Sequence, residues 1–450
     1  MKHRLAITLT LLAILCISSR RHEGLAAAAH HISGLLQTGD IKLLLGSPQV
    51  VSTYQERQNF GFQFGYTDGV MGSVADESNY LYFGSAKSAT EHCNAQADSP
   101  QTQGVYRLTP EAVNPLRIAK ARCRALLRPS GTHPGVHPQG IMGPFDRDYL
   151  GGGPVMRISD GKRSGILITY HAEFQYGQPR KDKANLFFGT LGMAVSTDNG
   201  KTFQKLGQII QPHPSRPQWI KESPETALSV GDGPFILGDE NAHPLDPLNP
   251  LDSQNPDPES TYIYVFYIDY QAEEEHDTQC SRHQCLAVAR AKLSDVLKVA
   301  FRHGSAANLF KKYHKGEFKE PAATIDPNNF RRSGAYSPVL SQNFSPSIIY
   351  DPVTRQAILA TQAGPDGIEI RASNTLTQWP ATPVYTLNES PENFAVRYPS
   401  LIRTTGKEGQ PQLWLFYSHA PLEQQSWAQT TFMVRPLTTA TPVAGGEASR

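Results

Sequence analysis

The stretch that decides the fold lies between residues 153 and 196 and contains the runs GPVMRI (153–158), GILITYH (165–171) and LGMAVS (191–196). Each run is apolar and rich in β-branched or aromatic side chains, and turn residues separate the runs, which is typical of neighbouring antiparallel strands. The same order of strands recurs four more times along the chain. The other four groups are 68–74, 80–85 and 104–108; 232–237, 262–267 and 285–289; 345–350, 357–361 and 368–373; and 398–402, 413–418 and 431–434.

Five repeated groups of short strands predict an all-β fold, a five-bladed β-propeller in which each group forms one blade and the first strands surround a central channel. We expect a single domain over 31–440, with a flexible tail at 441–450. Two packed β-sandwiches are the alternative architecture. The predicted blades span about 66–128, 146–212, 230–325, 343–390 and 396–438.

The fifth group lacks a fourth strand, because after Val434 the chain becomes rich in Thr, Ala and Gly. The segment 41–51 has the composition of such an outer strand. We therefore predict that this N-terminal strand completes the last blade, which would protect an edge that is otherwise open.

The composition limits the class of protein. Among 450 residues, 42 Lys and Arg nearly balance 41 Asp and Glu, so there is no electrostatic reason to expect nucleic acid as a partner. With 18% charged residues, 36 Gly and 34 Pro, the chain does not have the composition of a coiled coil, a helical bundle or a wholly disordered protein.

The first 30 residues have the order of a secretory signal peptide. Basic residues at 2–4 precede the apolar run 5–17, and small residues follow at 26–29. We expect a secreted or periplasmic monomer that does not contact the membrane after signal cleavage. An uncleaved N-terminal anchor is the alternative.

Outside the predicted signal peptide, the chain has four cysteines, and an even count in an exported protein indicates two disulfides. Of the three connectivities, we favour Cys93–Cys123 and Cys280–Cys285, since each closes a local loop. A four-cysteine metal site is the alternative.

A turn motif occurs at 196–203, which reads STDNGKTF. Asp198 can cap the turn and Gly200 can adopt a positive φ. The motif resembles the Asp-box hairpin of sialidases and related propellers, and 373–379 is a degraded counterpart. In those families the hairpin is a folding device away from the channel, so the motif favours a propeller without bearing on catalysis.

Aligning the five groups places Asp68, Gly153, Asp232, Ser345 and Tyr398 at equivalent positions, which in a propeller lie at one mouth of the channel. Glycosidic cleavage needs one carboxylic acid to protonate the leaving oxygen and one carboxylate to activate water or attack the sugar. A third acid raises the pKa of its neighbours. A turn-forming role for each acid is the alternative. Further charged residues lie just upstream of these positions, namely Asp146, Asp148, Glu222, Glu225 and Arg397.

Over most of its mature length the chain is similar to the five-bladed propeller glycoside hydrolases of the arabinanase, β-xylosidase and fructosidase type. The resemblance implies that Asp68 is the base or nucleophile, that Asp148 tunes the pKa of its neighbours and that Asp232 is the general acid. It also implies a furanoside substrate such as arabinan.

The chain departs from the family pattern at each of these positions. The family has Asp-Pro where this chain has Asp68-Gly69, and Glu-Gly-Pro where it has an Asp at 232. Gly153 occupies the matched position of the second blade, several residues after Asp148. Glu225, with Glu222 beside it, is therefore kept as the alternative acid.

Substrate binding is assigned to polar residues near the same mouth. An arginine can make two parallel hydrogen bonds to a carboxylate or to hydroxyls. No cofactor is required and no metal ligand set is evident; a structural cation such as calcium in the channel is an alternative. The predicted binding residues are Arg397, Tyr398, His171, Glu173, Asp146 and His419.

Together these features predict an exported glycosidase that cleaves an extracellular polysaccharide or oligosaccharide by carboxylate acid/base catalysis. Because a fold does not determine a function, a non-catalytic propeller that binds carbohydrate or protein is one alternative. A sialidase-like enzyme is another, although the sequence does not supply its arginine triad.

Overall fold

The computed structural model is mostly β, and contacts group Leu43–Ala440 into one compact unit. The two chain ends, Met1–Lys42 and Thr441–Arg450, form a second unit that lies almost entirely outside the described residues. The structure describes residues 41–59, 67–74, 80–85, 104–110, 118–121, 127–130, 143–176, 186–222, 227–247, 257–269, 285–326, 328–329, 331–341, 344–363, 367–389, 394–405, 410–421 and 430–440.

Two short strands and a helix begin the described part of the chain: β1 (Lys42–Leu45), β2 (Gln49–Ser52) and α1 (Tyr54–Asn59). The first four-stranded sheet follows in simple antiparallel order. It consists of β3 (Thr67–Val74), β4 (Tyr80–Ser85), β5 (Gly104–Pro110) and β6 (Ile118–Ala121).

The second and third strand groups are joined in one eleven-stranded sheet. The second group is β7 (Tyr149–Ser159), β8 (Ser164–Tyr176), β9 (Leu186–Ser196) and β10 (Gln204–Ile210), followed by helix α2 (Arg216–Glu222). The third comprises β11 (Leu228–Gly231), β12 (Phe235–Gly238), β13 (Tyr262–Asp269), β14 (Cys285–Lys292), helix α3 (Leu293–Arg302), β15 (Lys311–His314), β16 (Glu317–Pro321) and β17 (Leu340–Ser341). Strand β11 pairs in parallel with β9, which connects the two groups.

The last two groups form separate sheets. The fourth is β18 (Phe344–Asp351), β19 (Gln356–Ala363), β20 (Gly367–Ser373) and β21 (Tyr385–Asn388). The fifth is β22 (Phe394–Thr405), β23 (Pro411–Pro421) and β24 (Thr431–Ala440). Both β1 and β2 pair with β24, so the segment 41–51, predicted to be an outer strand, adds to the last sheet.

A one-residue bulge interrupts the first strand of every group at the same point of the repeat. In β7, for example, Gly152 faces Tyr170 but Val155 faces Ile168, so the bulge lies at 153–154. Proline directly follows the first bulged residue in three groups and comes one position later, as Pro234, in a fourth. Because proline has no N–H to donate, it suits a bulge rather than a regular ladder. The other bulges lie at 68–69, between β11 and β12 at 232–234, at 345–346 and at 398–399.

Contacts between the first strands connect neighbouring groups. Strand β3 packs on β7, β12 on β18, β18 on β22, and β22 returns to β3. The bulged positions of different groups therefore belong to strands that pack side by side.

The largest hydrophobic core lies between the second and third groups and is covered by α3. Val296, Leu297 and Ala300 of this helix are buried against strand residues such as Val195 and Val265. The sequence analysis did not predict α3, although its buried residues have helical spacing.

The turn predicted at 196–203 connects β9 to β10. Ser196 Oγ donates to Asp198 Oδ1 (2.8 Å), and Thr202 Oγ1 donates to Asp198 Oδ2 (2.6 Å). Asn199 and Gly200 have φ values of 59° and 75°, so the turn uses two left-handed residues. Across the described part of the chain, no helix is both long and apolar enough to cross a membrane.

Candidate active site

The bulged positions have unusual backbone conformations. Asp232, Ser345 and Tyr398 have φ values of 73°, 44° and 54°. Non-glycine residues in such conformations cost about 1–3 kcal/mol each and concentrate at functional sites. The bulge in β3 contains Asp68, whose side chain lies outside the described residues. Backbone strain therefore recurs at positions that the repeat alignment had already made equivalent.

One side chain lies against the bulges of two neighbouring groups. Thr169 Oγ1, in β8, donates to the carbonyl of Gly233, the residue after Asp232 (2.6 Å). The same hydroxyl would lie 2.6 Å from a Cβ at Gly153, so only glycine fits at that position. A single threonine thus lies against the bulges of the second and third groups.

A similar contact joins the fourth and fifth groups. The backbone N–H of Leu401 donates to Ser347 Oγ (2.8 Å), and both residues follow the bulges of their strands closely. Hydrogen bonds between strands of different groups therefore lie beside the bulges of the third, fourth and fifth groups.

The predicted binding residue Asp146 is engaged inside the fold. Its side chain is 1% exposed and forms an ion pair with Lys205. Tyr170 Oη lies 3.5 Å from the same carboxylate, and burial together with Asp146 raises the pKa of this tyrosine. Lys205 also donates to Ser130 Oγ (2.7 Å). The carboxylate of Asp146 thus connects β10 to the segment before β7.

The carboxyl group of Asp148 is fully buried, and both of its oxygens accept from Arg147 Nε at 2.9–3.0 Å. The guanidinium groups of Arg147 and Arg216 each lie 4.0 Å from the centre of the Phe174 ring. Burial and the charge of Arg147 lower the pKa of Arg216 to about 10. The tuning role that the resemblance implies for Asp148 stays a prediction.

The alternative acids are only partly described. Glu222 is exposed at the end of α2 and accepts from Gln218 Nε2 (2.8 Å). Glu225 lies outside the described residues. Asp232 is half-buried in the bulge between β11 and β12, as its place in the repeat predicts.

His171 and Glu173 lie near the end of β8, where the sequence analysis placed them. His171 Nε2 is 3.4 Å from Glu173 Oε1, and both side chains are half-buried. The Tyr149 ring meets the His171 ring edge-on at 6.0 Å. The predicted residues thus form one cluster with an aromatic side chain that the sequence analysis had not selected.

The fifth group carries a second polar cluster. Tyr417 Oη donates to Glu389 Oε2 (2.9 Å) and accepts from Arg435 Nε (3.1 Å), while Arg435 and Glu389 form an ion pair. His419 Nε2 lies 3.8 Å from Glu389, and burial lowers the pKa of His419. Sequence reasoning identified only the histidine. Tyr417 lies on the same strand, but Glu389 and Arg435 come from other parts of the chain, and no local pattern specifies this set.

Arg397 and Tyr398 lie on β22 at the bulge. Arg397 pairs with Ser418 of β23, one residue before the bulged position. Burial raises the pKa of Tyr398. Both predicted binding residues are half-buried.

No group of three His, Cys, Asp or Glu side chains suited to a metal ion occurs within the described ranges. Cys285 is disulfide-bonded, whereas the other three cysteines of the predicted pairs lie outside the described residues, as does the predicted signal peptide. The pairing therefore remains a prediction.

No protein-family model matches the chain, and no curated protein does. Several solved structures share part of its geometry. A β-xylosidase, RS223, aligns over 87% of this chain and 95% of its own with 9% identity and a TM-score of 0.40. A levansucrase mutant from B. megaterium covers 87% and 81% with 12% identity and a TM-score of 0.38. A neuraminidase-like protein of subtype N11, from the influenza isolate A/flat-faced bat/Peru/033/2010, covers 88% and 94% with 9% identity and a TM-score of 0.34.

Proposed function

We propose that the chain is an exported five-bladed β-propeller that hydrolyses glycosidic bonds in an extracellular glycan, with furanosides such as arabinan as the favoured substrates. The observation that carries the proposal is the bulge at the same register in all five first strands. Two of the five bulges contain carboxylates, Asp68 and Asp232. A glycosidase needs two carboxylic groups that face a common centre.

The propeller is supported by the order of contacts among first strands. Four of these contacts run from one group to another, and β22 packs on β3, which joins the last group to the first. The pairing of β1 and β2 with β24 also brings the beginning and the end of the described chain into one sheet. In a closed propeller, pairing of this kind protects strand edges.

The proposed chemistry follows from the two bulge carboxylates. Asp232, as the protonated acid, gives its proton to the glycosidic oxygen while the bond to the anomeric carbon breaks. Asp68, as the carboxylate, either takes a proton from the attacking water or attacks the anomeric carbon itself. Thr169 positions the loop of the acid through its hydrogen bond to Gly233.

The experiment measures reducing-sugar release by the purified mature protein from arabinans, xylans, fructans and sialylated glycans. We expect the wild type to cleave one class and both Asp68→Asn and Asp232→Asn to lose at least about 100-fold in kcat, in line with the loss of a general acid or base. Glu225→Gln tests the alternative acid. If Glu225→Gln releases no sugar while Asp232→Asn keeps full activity, the general acid is Glu225 and not Asp232.

Asp351→Asn is the matched control. This buried carboxylate caps the turn after β18 by accepting from Thr354 Oγ1 (2.6 Å). We expect this variant to lose stability while retaining kcat, whereas the two bulge variants should retain their melting temperature. A folded wild type that cleaves nothing, but binds one of the glycans, would indicate the non-catalytic propeller.

A further inference from the structure

A further carboxylate lies beside the bulge that contains Asp232. Asp269 ends β13, is 3% exposed and pairs with Val230 of β11, two residues before Asp232. In the register of the bulges, Asp269 is equivalent to His171 and His419, because each of the three faces the second residue before a bulge. Sequence analysis selected both histidines but not Asp269, because the bulge register is visible only in the structure.

The register brings the two aspartates close to each other. Paired residues of an antiparallel ladder have Cα atoms about 5 Å apart, and each residue along a strand adds about 3.4 Å. The Cα atoms of Asp269 and Asp232 are therefore separated by roughly 8 Å. Asp269 and Val230 face each other, so their side chains point to the same face of the sheet. Val230 is buried there in the core between the second and third groups, so Asp269 carries its charge into a poorly solvated environment.

Other ionisable side chains surround Asp269 in this core. Burial and the charge of Asp269 raise the pKa of Tyr336. The Tyr267 ring meets the Tyr336 ring edge-on at 6.0 Å, and Lys312 Nζ lies 5.7 and 5.9 Å from the two ring centres. Burial and the charge of Lys312 lower the pKa of His213, which lies on the far side of the lysine from the aspartate's strand. We define the buried charge cluster as Asp269, Lys312, Tyr267 and Tyr336.

The cluster balances one cation against one deeply buried anion. Lys312 Nζ donates to the carbonyl of Gln211 (3.0 Å) and to Ser333 Oγ (2.8 Å), which are both neutral acceptors. Its favourable charge interactions are with Asp269 and, second, with Glu320. A buried cation needs a nearby anion to offset its desolvation. The cluster therefore favours the ionised form of Asp269, and Lys312 offsets part of the field that this carboxylate exerts on its neighbours.

We propose that Asp269 is a positioning residue for the reaction: its negative charge, which Lys312 offsets in part, keeps the proton on Asp232 until the glycosidic oxygen takes it. A nearby anion disfavours the ionisation of an acid, whereas a nearby cation favours it. The inference rests on the proposed function for the role of Asp232 as the acid. The effect of the cluster on a group at position 232 can be measured without any substrate.

Alkylation of Asp232→Cys by iodoacetamide at about pH 7 measures this effect, because only the thiolate reacts. Lys312 is charged at this pH, since its pKa is about 8. Mass spectrometry of the peptide that contains position 232 distinguishes this thiol from the native cysteines, and the rate at about pH 10 corrects for access. At roughly 8 Å and an effective dielectric constant of about 20, one charge changes the pKa of the thiol by about 1. In this background, Asp269→Asn should therefore react about 10-fold faster and Lys312→Met at least about 3-fold more slowly.

Asp295→Asn and Lys298→Met are the matched controls, because they remove one charge of each sign from an exposed pair on α3 (3.0 Å). Both should react within about 2-fold of the parent, since solvent and salt screen exposed charges. With Asp232 in place, Asp269→Asn should move the alkaline limb of kcat/KM to lower pH, and Lys312→Met should move it to higher pH. A merely structural role would lower activity at every pH without moving this limb.

Opposite changes in the two cluster variants would support the proposal, whereas changes in the same direction, or none, would overturn it. If melting temperatures show that Asp269→Asn is unfolded, Lys312→Met decides alone, and an unchanged alkylation rate overturns the proposal. Opposite changes in a wild-type protein that hydrolyses no glycan would retain the charge effect at position 232 and overturn the glycosidase. Hydrolysis by the wild type together with unchanged alkylation rates would overturn only the role of Asp269.

Discussion

Lys312 is the most deeply buried cation in the described part of the chain, and its replacement tests how the fold tolerates a buried charge. Its side chain is 0% exposed, and Nζ donates to the carbonyl of Gln211 (3.0 Å) and to Ser333 Oγ (2.8 Å). Tyr267 and Tyr336 lie with their ring centres 5.7 and 5.9 Å from Nζ. Asp269 and Glu320 contribute favourable charge interactions.

Burial lowers the pKa of Lys312 to about 8, from an ordinary value of 10.5. The folded state therefore favours the neutral amine more strongly than the unfolded state does. Below pH 8 the lysine is charged in both states, and the fold carries the full cost of burying the charge. As pH rises from about 8 to 10.5, the folded protein loses the proton first, so the unfolded state binds more protons and stability rises. The difference of about 2.5 between the pKa values of Lys312 in the two states corresponds to a gain of about 3 kcal/mol in the free energy of unfolding.

Lys312→Met removes this titration while keeping an unbranched side chain of similar length. Ser333 Oγ still donates to the carbonyl of Gln211 (3.2 Å), so that acceptor keeps a partner. We expect the stability of the wild type relative to the variant to increase by about 3 kcal/mol between neutral pH and about pH 10. Urea unfolding at a series of pH values measures this difference, since other titrating groups cancel between the two proteins.

Lys298→Met is the matched control, because Lys298 is an exposed lysine of α3 that pairs with Asp295 (3.0 Å). Any change with pH in the stability difference between Lys298→Met and the wild type is subtracted from that of Lys312→Met. A pH-independent difference for Lys312→Met after this subtraction would refute the reasoning, since it would show that the buried amine keeps its ordinary protonation.

Two further substitutions test contacts near the candidate site. Gly153→Ala places a Cβ against the backbone and hydroxyl of Thr169. We expect the free energy of unfolding, measured with urea, to fall by about 1–3 kcal/mol. An unchanged free energy would show that the bulge of β7 can move away from β8. Tyr417→Phe removes the hydroxyl that hydrogen-bonds to both Glu389 and Arg435. We expect the free energy of unfolding, measured by thermal unfolding, to fall by about 1–2 kcal/mol. An unchanged melting temperature would mean that water replaces the hydroxyl.

The sequence predicted those parts of the fold that repeat locally. Alternation and turn residues located the strands. The bulges were not predicted, although the X-Pro pairs at 345–346 and 398–399 could have indicated them, because proline cannot donate to a ladder. Helix α3 was missed even though Val296, Leu297 and Ala300 have helical spacing, since the strand repeat was extended across it.

The candidate site was predictable only to the extent that it follows the repeat. The repeat selected Asp232, His171 and Glu173 from their positions in or beside strands, and their roles stay predictions. The ion pairs that engage Asp146 with Lys205 and Arg403 with Asp246 (2.6 Å) join residues far apart in the sequence, and no local pattern specifies such partners. Contacts of this kind depend on how the sheets pack, which one sequence does not reveal.

The backbone conformation at the bulges indicates whether the turn itself requires the aspartates that two of the bulges contain. The left-handed conformation at this point is adopted by Asp232, by Ser345 and by Tyr398, three side chains that differ in size and charge. The backbone conformation is therefore set by the strand repeat and by the contacts between bulges, and a carboxylate is not required to form it. Aspartate can form turns elsewhere in the chain, as Asp351 does. At the bulges, however, serine and tyrosine adopt the same conformation, so the geometry of the turn alone does not require an aspartate at 232.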